Sequence, residues 1–426
     1  MARFFYTVLY SVLLPVFVLR LWWRGRVNAG YRRRIGERFG TIPHRPTAGG
    51  LWIHAVSVGE TLAAAPLVRG FQQRYPDIPI IVTTTTPTGS EQVKRLFGER
   101  VFHMYLPYDL PIFWQRFLRA LQPSLLVVME TELWPNLLAI CEKRQLPVIL
   151  ANARLSQKSA DGYARFAALT QPMLRSLSVV AAQNAIDGQR FVEIGLPSDR
   201  LEVCGSVKFD VHIPTDVANQ GLALRQQWGH ERTVLALASS HAGEDELLLD
   251  LYPRLLAQCP DCLLLLIPRH PERFEAVTNA VHRRGLSVRR RSQGAATANT
   301  QVYVADSMGE MLPLLASADL VLMGGSLIPH GGHNPIEPAA LGKATLMGPH
   351  HANFVAIVDK LQRAQALAVV SDEADALAAQ LIQYLNDKTL REQMGAAGQR
   401  TVLENRGAVE RLVTLCARYM GLTTTA

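Results

Sequence analysis

Short apolar runs alternate along the chain with longer segments in which apolar and polar positions repeat at helical spacing. The runs are rich in Leu, Val and Ile. They occupy 51–56, 78–85, 125–129, 148–151, 179–182 and 201–205 in the first half, and 233–238, 263–267, 302–304, 320–323 and 344–347 in the second. Short apolar strands separated by helices are typical of a parallel sheet covered on both faces. The pattern therefore predicts an α/β protein.

The alternation is interrupted once, between residues 210 and 221, where Pro214, Asp216 and Asn219 favour a linker. We therefore expect two doubly wound, Rossmann-like domains that face each other across a cleft. The predicted divisions are a helix at 1–23, a first domain at 24–212, a second at 213–400, and a C-terminal helix at 401–426 that packs back on the first domain. Two local features are also predicted, a capping box from Thr88 to Glu91 and one continuous helix over 390–419.

The N-terminus is apolar from Phe4 to Leu19 and continues through Trp22 and Trp23. About 20 such residues suffice to cross a bilayer. A cleaved signal peptide would need a basic start and small residues at a cleavage site, and a buried core helix is the other alternative. The tryptophans and arginines that end this run favour an uncleaved anchor, spanning the membrane or lying in its interface, with the rest of the chain on the cytoplasmic side.

Composition indicates a folded protein that binds anions. Of 426 residues 48% are hydrophobic, and the net charge is +8. Such a charge favours phosphates, an anionic membrane surface or nucleic acid. The arginines cluster at 20, 24, 26, 32, 33, 34 and 38, and again at 283, 284, 289, 290 and 291. They lack interleaved aromatic residues, which makes nucleic acid the weaker alternative. Cys259 and Cys262 have no second pair to complete a zinc site, so we interpret them as structural thiols.

Acidic residues follow two strands of the first half. Glu60 comes after a strand and a glycine turn, and Glu130 and Glu132 come after the apolar run at 125–129. An acid at Glu60 could simply match the dipole of the helix that begins there. It could also act as a general base toward a substrate hydroxyl, provided that burial or a neighbouring acid offsets the effect of the dipole on its pKa.

Polar residues at strand ends of the second half predict a phosphate or ribose site. Asn334-Pro-Ile-Glu337 reads as an N-cap and the first helical turn, and the glycines before it could offer free N–H groups to a phosphate. Arg269 follows another strand, and Lys208 lies just before the linker. His333, His350 and His351 are expected to be hydrogen-bond donors, and no metal-ligand spacing stands out. Neither half contains Gly-x-Gly-x-x-Gly, so dinucleotide binding is unsupported.

At these positions the chain resembles the 3-deoxy-D-manno-octulosonic acid (Kdo) transferases of Gram-negative lipopolysaccharide assembly. The most specific stretch is Met129-Glu-Thr-Glu-Leu-Trp-Pro-Asn136. The others are Ser57-Val-Gly-Glu60, Ala151-Asn-Ala-Arg-Leu-Ser156, Gly205-Ser-Val-Lys-Phe-Asp210, Pro268-Arg-His-Pro-Glu-Arg-Phe274, Asp306-Ser-Met-Gly-Glu310, Gly324-Gly-Ser326 and His333-Asn-Pro-Ile-Glu337. They span nearly the whole chain.

The resemblance implies an inverting, metal-independent glycosyltransferase of the GT-B type. Its donor would be CMP-Kdo, with no cofactor, and its acceptor a lipid A precursor of the lipid IVA type. It would act at the cytoplasmic face of the inner membrane, in contact with anionic lipids and without nucleic acid. The resemblance assigns the base to Glu60 and transition-state stabilisation to Glu130 and Lys208. It assigns CMP contacts to Pro268, Arg269, Met308, Gly309, Glu310, Asn334, Pro335, Ile336 and Glu337.

Two other interpretations remain open at this point. One is a GT-B enzyme that uses a UDP-sugar, or a related epimerase. The other is a membrane-anchored protein that binds anions or nucleic acid through its arginine clusters.

Overall fold

The computed structural model describes residues 1–42 and 48–423, which form two compact units. The first unit comprises residues 1–210 together with 406–426, and the second comprises 211–405. The predicted domain boundaries at 212 and 400 lie close to these divisions. The second of them falls inside a helix, Lys388–Asn405, that belongs wholly to the second unit.

The first unit alternates strands and helices around one parallel sheet. Its strands are β1 (Leu51–His54), β2 (Ile80–Thr84), β3 (Phe102–Tyr105), β4 (Leu125–Met129), β5 (Val148–Ala153), β6 (Val179–Ala182) and β7 (Leu201–Val203). Its helices are α1 (Ala2–Arg24), α2 (Val58–Arg74), α3 (Pro87–Phe97), α4 (Pro111–Leu121), α5 (Pro135–Lys143), α6 (Gln157–Arg165), α7 (Ala167–Ser176) and α8 (Ala185–Glu193). The strand order is β3-β2-β1-β4-β5-β6-β7.

The second unit repeats this architecture. Its helices are α9 (Val217–Trp228), α10 (Glu244–Gln258), α11 (Phe274–Arg283), α12 (Met311–Ser317), α13 (Ile336–Ala340), α14 (Val355–Arg363), α15 (Ala374–Asn386) and α16 (Lys388–Asn405). Its strands are β8 (Val234–Ser240), β9 (Leu263–Pro268), β10 (Val288–Arg290), β11 (Val302–Val304), β12 (Leu320–Met323), β13 (Ala344–Met347) and β14 (Ala368–Val369), in the parallel order β10-β11-β9-β8-β12-β13-β14. A last helix, α17 (Ala408–Met420), returns to the first unit.

Each face of the first sheet carries its own hydrophobic core. Alternate residues of β1 point to opposite faces, so Leu51 and Ile53 pack with α2, α3 and α17, while Trp52 packs with α4, α5 and α7. Strands buried on both sides need apolar residues at every position. This explains why the apolar runs of the sequence coincide with the strands.

Helix α1 lies against the first unit but buries none of its residues. It is long and apolar enough to cross a membrane by length and composition. The Tyr6 hydroxyl donates to Asp109 at 3.0 Å, and the Thr7 hydroxyl donates to Asn136 at 2.9 Å. Because none of its residues is buried, the structure contradicts the buried core helix that the sequence left as an alternative.

The predicted single helix over 390–419 is wrong, because α16 ends at Asn405 and α17 begins at Ala408. Gly407 has φ +90°, which breaks the helix and is favourable only for glycine. The Asp210 carboxylate then accepts hydrogen bonds from the backbone N–H groups of Gly407 and Val409, both at 2.6 Å. This carboxylate satisfies two donors that would otherwise be unpaired at the start of α17.

Two further local predictions differ from the structure. The cap of α3 is Thr86, whose hydroxyl accepts from the Gly89 N–H at 3.1 Å, so the predicted capping box from Thr88 to Glu91 is wrong. The predicted linker over 210–221 is helical from Val217 onward. Gly221 serves packing there, since a Cβ at this position would lie 2.6 Å from the Ala316 side chain.

Candidate active site

Three neighbouring strands of the first sheet end in polar residues. β1, β4 and β5 are adjacent. Glu60 and Glu130 follow β1 and β4, and Asn152 is the last residue but one of β5. Parallel strands present all their carboxyl ends at one edge of the sheet. The structure therefore brings Glu60 and Glu130 together, as the sequence led us to expect.

The Glu60 carboxylate is held at the first turn of α2. One oxygen accepts from the Val56 N–H at 2.8 Å, and the other accepts from the Ser57 hydroxyl at 3.0 Å. Ser57 also caps the helix by accepting from the Glu60 N–H. Burial raises the pKa of Glu60, and the negative charge of Glu130 acts in the same direction, while the bonds from Val56 and Ser57 oppose them. The carboxylate thus serves as a helix-start acid and is also made more basic by its surroundings.

Glu132 belongs to this acidic group, although the sequence analysis assigned it no role. Burial raises the pKa of Glu132 to about 7, and the charges of Glu60 and Glu130 contribute to the increase. Glu130 itself has φ +58°, so the chain turns sharply at the end of β4. The Glu130 N–H donates to Ala151 O at 2.9 Å. A non-glycine residue in this region often marks a functional site. We therefore treat the three carboxylates as one acid group.

Lys208 lies next to the acid group on the turn after β7. Burial lowers the pKa of Lys208, the Glu130 carboxylate opposes this change, and the Arg154 cation adds to it. Asn152 has φ +52°, and its side-chain oxygen accepts from the Val207 N–H at 3.3 Å, which fixes the turn that carries Lys208. The buried amide nitrogen of Asn152 has no hydrogen-bond partner among the described residues. Lys208 therefore lies beside the Glu130 carboxylate in the first unit.

The carboxyl ends of β9 and β12 carry the predicted donor residues of the second unit. Pro268 ends β9, and Arg269 follows it as an exposed cation whose charge lowers the pKa of Glu337. Burial, the larger influence, raises that pKa. The Asn334 side chain accepts from the Ile336 N–H at 3.1 Å, but the N-cap of the short helix α13 is Pro335, one residue later than the sequence indicated. Pro335 lies between the two.

The segment after β11 presents Met308, Gly309 and Glu310 at the same edge. Met308 is 58% exposed, and Gly309 has φ +86°. The Glu310 carboxylate pairs with the Arg291 guanidinium at 2.8 Å and accepts from the Ser307 hydroxyl, and the pair with Arg291 lowers the pKa of Glu310. β11 and β9 are neighbours in the sheet. Residues 308–310 and 268–269 therefore lie at adjacent strand ends, whereas residues 334–337 follow β12, which β8 separates from β9.

The glycine-rich turn after β12 does not offer the free N–H groups expected from the sequence. The buried Glu244 carboxylate accepts from the N–H groups of Gly325, Ser326 and Leu327 at 2.7 to 3.1 Å. The Gly324 N–H donates to Ala238 O at 2.7 Å. A buried carboxylate needs such donors, and the turn supplies them. The expectation of free N–H groups is therefore wrong for Gly324 and Gly325, and for Gly332, whose N–H donates to Gly325 O at 2.7 Å.

Four histidines gather at the same edge of the second sheet. His241 follows β8, His270 follows β9, and His330 and His333 follow β12. The Nε2 atoms of His241 and His333 are 2.8 Å apart. One ring nitrogen each of His241, His330 and His333 lies within 4.8 Å of the others, an arrangement that could hold a metal ion by geometry alone. The sequence analysis singled out only His333 of these, as a hydrogen-bond donor, because the rings come from three separate loops.

Many arginines of the two basic clusters are occupied within the protein. Arg34 pairs with Glu37 at 2.6 Å, and Arg290 and Arg291 pair with Asp306 and Glu310 at 2.8 Å. Such pairs remove these cations from an open anionic surface. Arg20, Arg24 and Arg26, at the end of α1 and just after it, are exposed instead.

Comparisons with known proteins agree with these features. A family model described as 3-Deoxy-D-manno-octulosonic-acid transferase (kdotransferase) matches residues 33–211, and one described as Glycosyl transferases group 1 matches residues 288–401. The 3-deoxy-D-manno-octulosonic acid transferase of Haemophilus influenzae is 42% identical over 423 residues, covering 99% of each chain. A crystal structure described as the C-terminal CMP-Kdo binding domain of WaaA from Acinetobacter baumannii is 32% identical and covers 49% of this chain and 99% of that one, with a TM-score of 0.38.

A glycosyltransferase structure from Rickettsia africae covers 88% of this chain and 100% of its own, with 11% identity and a TM-score of 0.55. It supports the fold alone. The predicted fold class, two Rossmann-like α/β domains of the GT-B type preceded by an apolar helix, is confirmed. The prediction of a glycosyltransferase is also confirmed. The chain belongs to the Kdo transferase family, the glycosyltransferases that transfer Kdo in lipopolysaccharide biosynthesis.

Proposed function

We propose that the protein transfers Kdo from CMP-Kdo to a lipid A precursor of the lipid IVA type, with inversion at the anomeric carbon and without a metal or other cofactor. Membership of the family identifies the transferred sugar as Kdo. The observation that carries the rest is the Glu60 carboxylate, fixed by Val56 and Ser57 and made more basic by burial beside Glu130. In this proposal the first unit supplies the base and the second unit holds the donor.

Glu60 acts as the general base. It accepts the proton of the acceptor hydroxyl as that oxygen attacks the anomeric carbon from the face opposite the nucleotide. A raised pKa makes the carboxylate a stronger proton acceptor than an ordinary glutamate, while its two hydrogen bonds keep it oriented. Direct displacement from the opposite face leads to inversion and forms no covalent sugar–enzyme bond.

Glu130 and Lys208 act on the charge that develops in the transition state. The sugar centre becomes positive as the bond to the phosphate breaks, and the Glu130 carboxylate stabilises that charge. Lys208, which is partly buried beside Glu130, supplies the opposite charge for the departing phosphate. Both groups belong to the same strand-end edge as Glu60.

The donor nucleotide contacts the second unit. Pro268 ends β9 and Arg269 follows it. Asn334, Pro335 and the first turn of α13 follow β12, and the segment 308–310 follows β11. Ligands of doubly wound sheets bind at such strand ends. The Glu337 carboxylate accepts from ribose hydroxyls, Arg269 binds phosphate oxygens, and Asn334, Pro335 and Ile336 line the same position.

The acceptor is a membrane lipid, and α1 places the enzyme at the membrane. We propose that this helix lies at the cytoplasmic face of the inner membrane. The exposed Arg20, Arg24 and Arg26 would bind the phosphates of anionic lipids and of the acceptor there. Each such cation contributes about 1 kcal/mol near an anionic surface.

Mass spectrometry of the products formed from CMP-Kdo and the lipid A precursor tests this proposal. We expect Glu60→Gln to abolish transfer while CMP still binds, because the amide cannot accept a proton. The matched control is Glu142→Gln, the same substitution at an exposed acid of α5, which should leave transfer unchanged. Retained turnover in Glu60→Gln would remove Glu60 as the base. Preferential binding of UDP over CMP would exclude the proposed donor.

A further inference from the structure

The four histidines of the second unit form a compact group of rings. The His241 and His333 rings are nearly parallel, with an interplanar angle of 5° and ring centroids 5.0 Å apart. The His330 ring centroid lies 4.0 Å from that of His241, and the His270 centroid lies 5.7 Å from it. His330 is exposed and the His241 and His333 rings are partly exposed, so a ligand can reach them.

Cations surround this group, and the nearby acids are engaged elsewhere. Arg269 and Arg273 both act on the His241 ring electrostatically, and Arg269 also acts on His333. Their positive charge opposes a metal cation and favours an anion.

Each acidic side chain on the elements that surround the four histidines has its own partners. The Glu244 carboxylate accepts four backbone N–H groups, Asp245 binds Ser240 and pairs with Arg273 at 2.7 Å, and Glu246 accepts from the Gly243 N–H. Glu337 interacts with Asn334 and Arg269. Within residues 1–42 and 48–423 we find no hydrogen bond or ion pair between a carboxylate and these four rings.

We propose that His241 and His333, together with Arg269, bind the phosphate of the donor nucleotide. This inference rests on the proposed function. It names side chains that bind the phosphate, because the N–H groups of Gly325, Ser326 and Leu327 already bind Glu244. The rings lie on the loops after β8 and β12, beside the residues proposed to contact the nucleotide. The three side chains together offer nitrogen donors to several phosphate oxygens, as phosphate recognition requires.

Phosphate binding then replaces the hydrogen bond between the two rings. Without ligand, the two Nε2 atoms share one hydrogen bond at 2.8 Å, in which one ring donates and the other accepts. Burial and neighbouring cations lower the pKa of both rings to about 4, so both are neutral at pH 7. A bound phosphate replaces this bond, and its oxygens accept from the Nε2–H group of each ring. The second ring presents that group by moving its proton from Nδ1 to Nε2, or by taking up a proton as the pH falls. A bound anion raises the pKa of both rings, and affinity therefore increases as the pH falls.

Calorimetric titration of the full-length protein in detergent with CMP tests the inference, with cytidine as the ligand that lacks the phosphate. We expect CMP to bind at least about 10-fold more tightly than cytidine at pH 7.5, because cytidine lacks the group that the two rings and Arg269 contact. His241→Gln and His333→Gln should each lower the affinity for CMP about 10- to 100-fold, as expected for the loss of a charge-assisted hydrogen bond. Their affinity for cytidine should not change, which also shows that the variants are folded. The matched control, His350→Gln, alters a histidine of the same unit that pairs with Asp372 and should leave CMP affinity unchanged.

The outcomes separate this inference from the proposed function. If the wild-type protein does not bind CMP, the proposed donor fails and the inference falls with it. If the wild-type protein binds CMP and the two variants bind it equally well, the inference is wrong while the donor stands. If the wild-type protein binds Co²⁺ with a ligand-field spectrum that His241→Gln removes, and CMP affinity is unaffected by that substitution, the rings form a metal site and the inference is overturned.

Discussion

Replacing Glu132 with glutamine should stabilise the first unit at alkaline pH and leave its stability nearly unchanged at acidic pH. Burial, with the charges of Glu60 and Glu130, raises the pKa of Glu132 from 4.5 to about 7. At pH 8 the folded protein must therefore keep a carboxylate ionised where ionisation is unfavourable. A glutamine at this position carries no charge and removes this penalty.

The magnitude follows from the difference between the two pKa values. At about 1.4 kcal/mol for each tenfold change in the proton equilibrium, the increase from 4.5 to about 7 corresponds to about 3 kcal/mol. Below pH 4.5 the group is protonated in both states, and the penalty is absent. Between pH 4.5 and 7 the unfolded chain releases the proton while the folded chain keeps it, so stability falls. Above pH 7 the full penalty is present.

Urea unfolding of wild-type protein and Glu132→Gln at pH 5 and pH 8 measures this effect. Hydrogen exchange of peptides from β1 and α2 reports on the first unit by itself. We expect a gain of up to about 3 kcal/mol at pH 8 and less than about 1 kcal/mol at pH 5. Glu142→Gln, which changes an exposed acid on α5, is the control and should show no such difference. Equal effects at both pH values, or a loss at pH 8, would refute the reasoning.

Three other predictions concern groups outside the acid group. Asp109→Asn should destabilise the first unit by about 2 to 4 kcal/mol and increase proteolysis of α1, because an amide would replace a buried carboxylate that accepts from Tyr6 and from three other donors; unchanged cleavage would contradict this. Iodoacetamide at pH 7 should modify Cys259 faster than the other cysteines, since a hydrogen bond from the Cys262 thiol lowers the pKa of Cys259, and Cys262→Ala should slow the reaction in peptide mass spectra. Asp210→Ala should cost about 1 to 2 kcal/mol in unfolding experiments, because the first turn of α17 loses its cap.

The sequence predicted most strands because they are buried on both faces. β4, β6, β11, β12 and β13 have the predicted bounds, since each is a continuous apolar run. The edge strand β10 was missed, because it is short and consists of Val-Arg-Arg, which lacks that signal. The helix break at Gly407 was missed as well, because the residues on both sides continue the helical pattern and only the backbone angle shows the break.

The two candidate sites were predictable where a residue directly follows a strand. Glu60, Glu130 and Arg269 were identified in this way, and the fold accounts for their positions. Glu132 and His241 were assigned no role, because their importance depends on neighbours from distant segments. The use of the glycine-rich turn was misjudged for the same reason, since Glu244, which binds it, lies some 80 positions earlier in the chain.

The chain order of the first unit determines when that unit can be finished during synthesis. Its last helix, α17, adds Leu412, Val413 and Cys416 to the core packed on one face of the first sheet. These residues leave the ribosome only after the whole second unit has been translated. Throughout translation, the unit that carries Glu60 therefore lacks part of its interior, and it matures only once the complete polypeptide is released. A product truncated after residue 405 would contain every residue of both candidate sites but would lack the helix that completes the first unit.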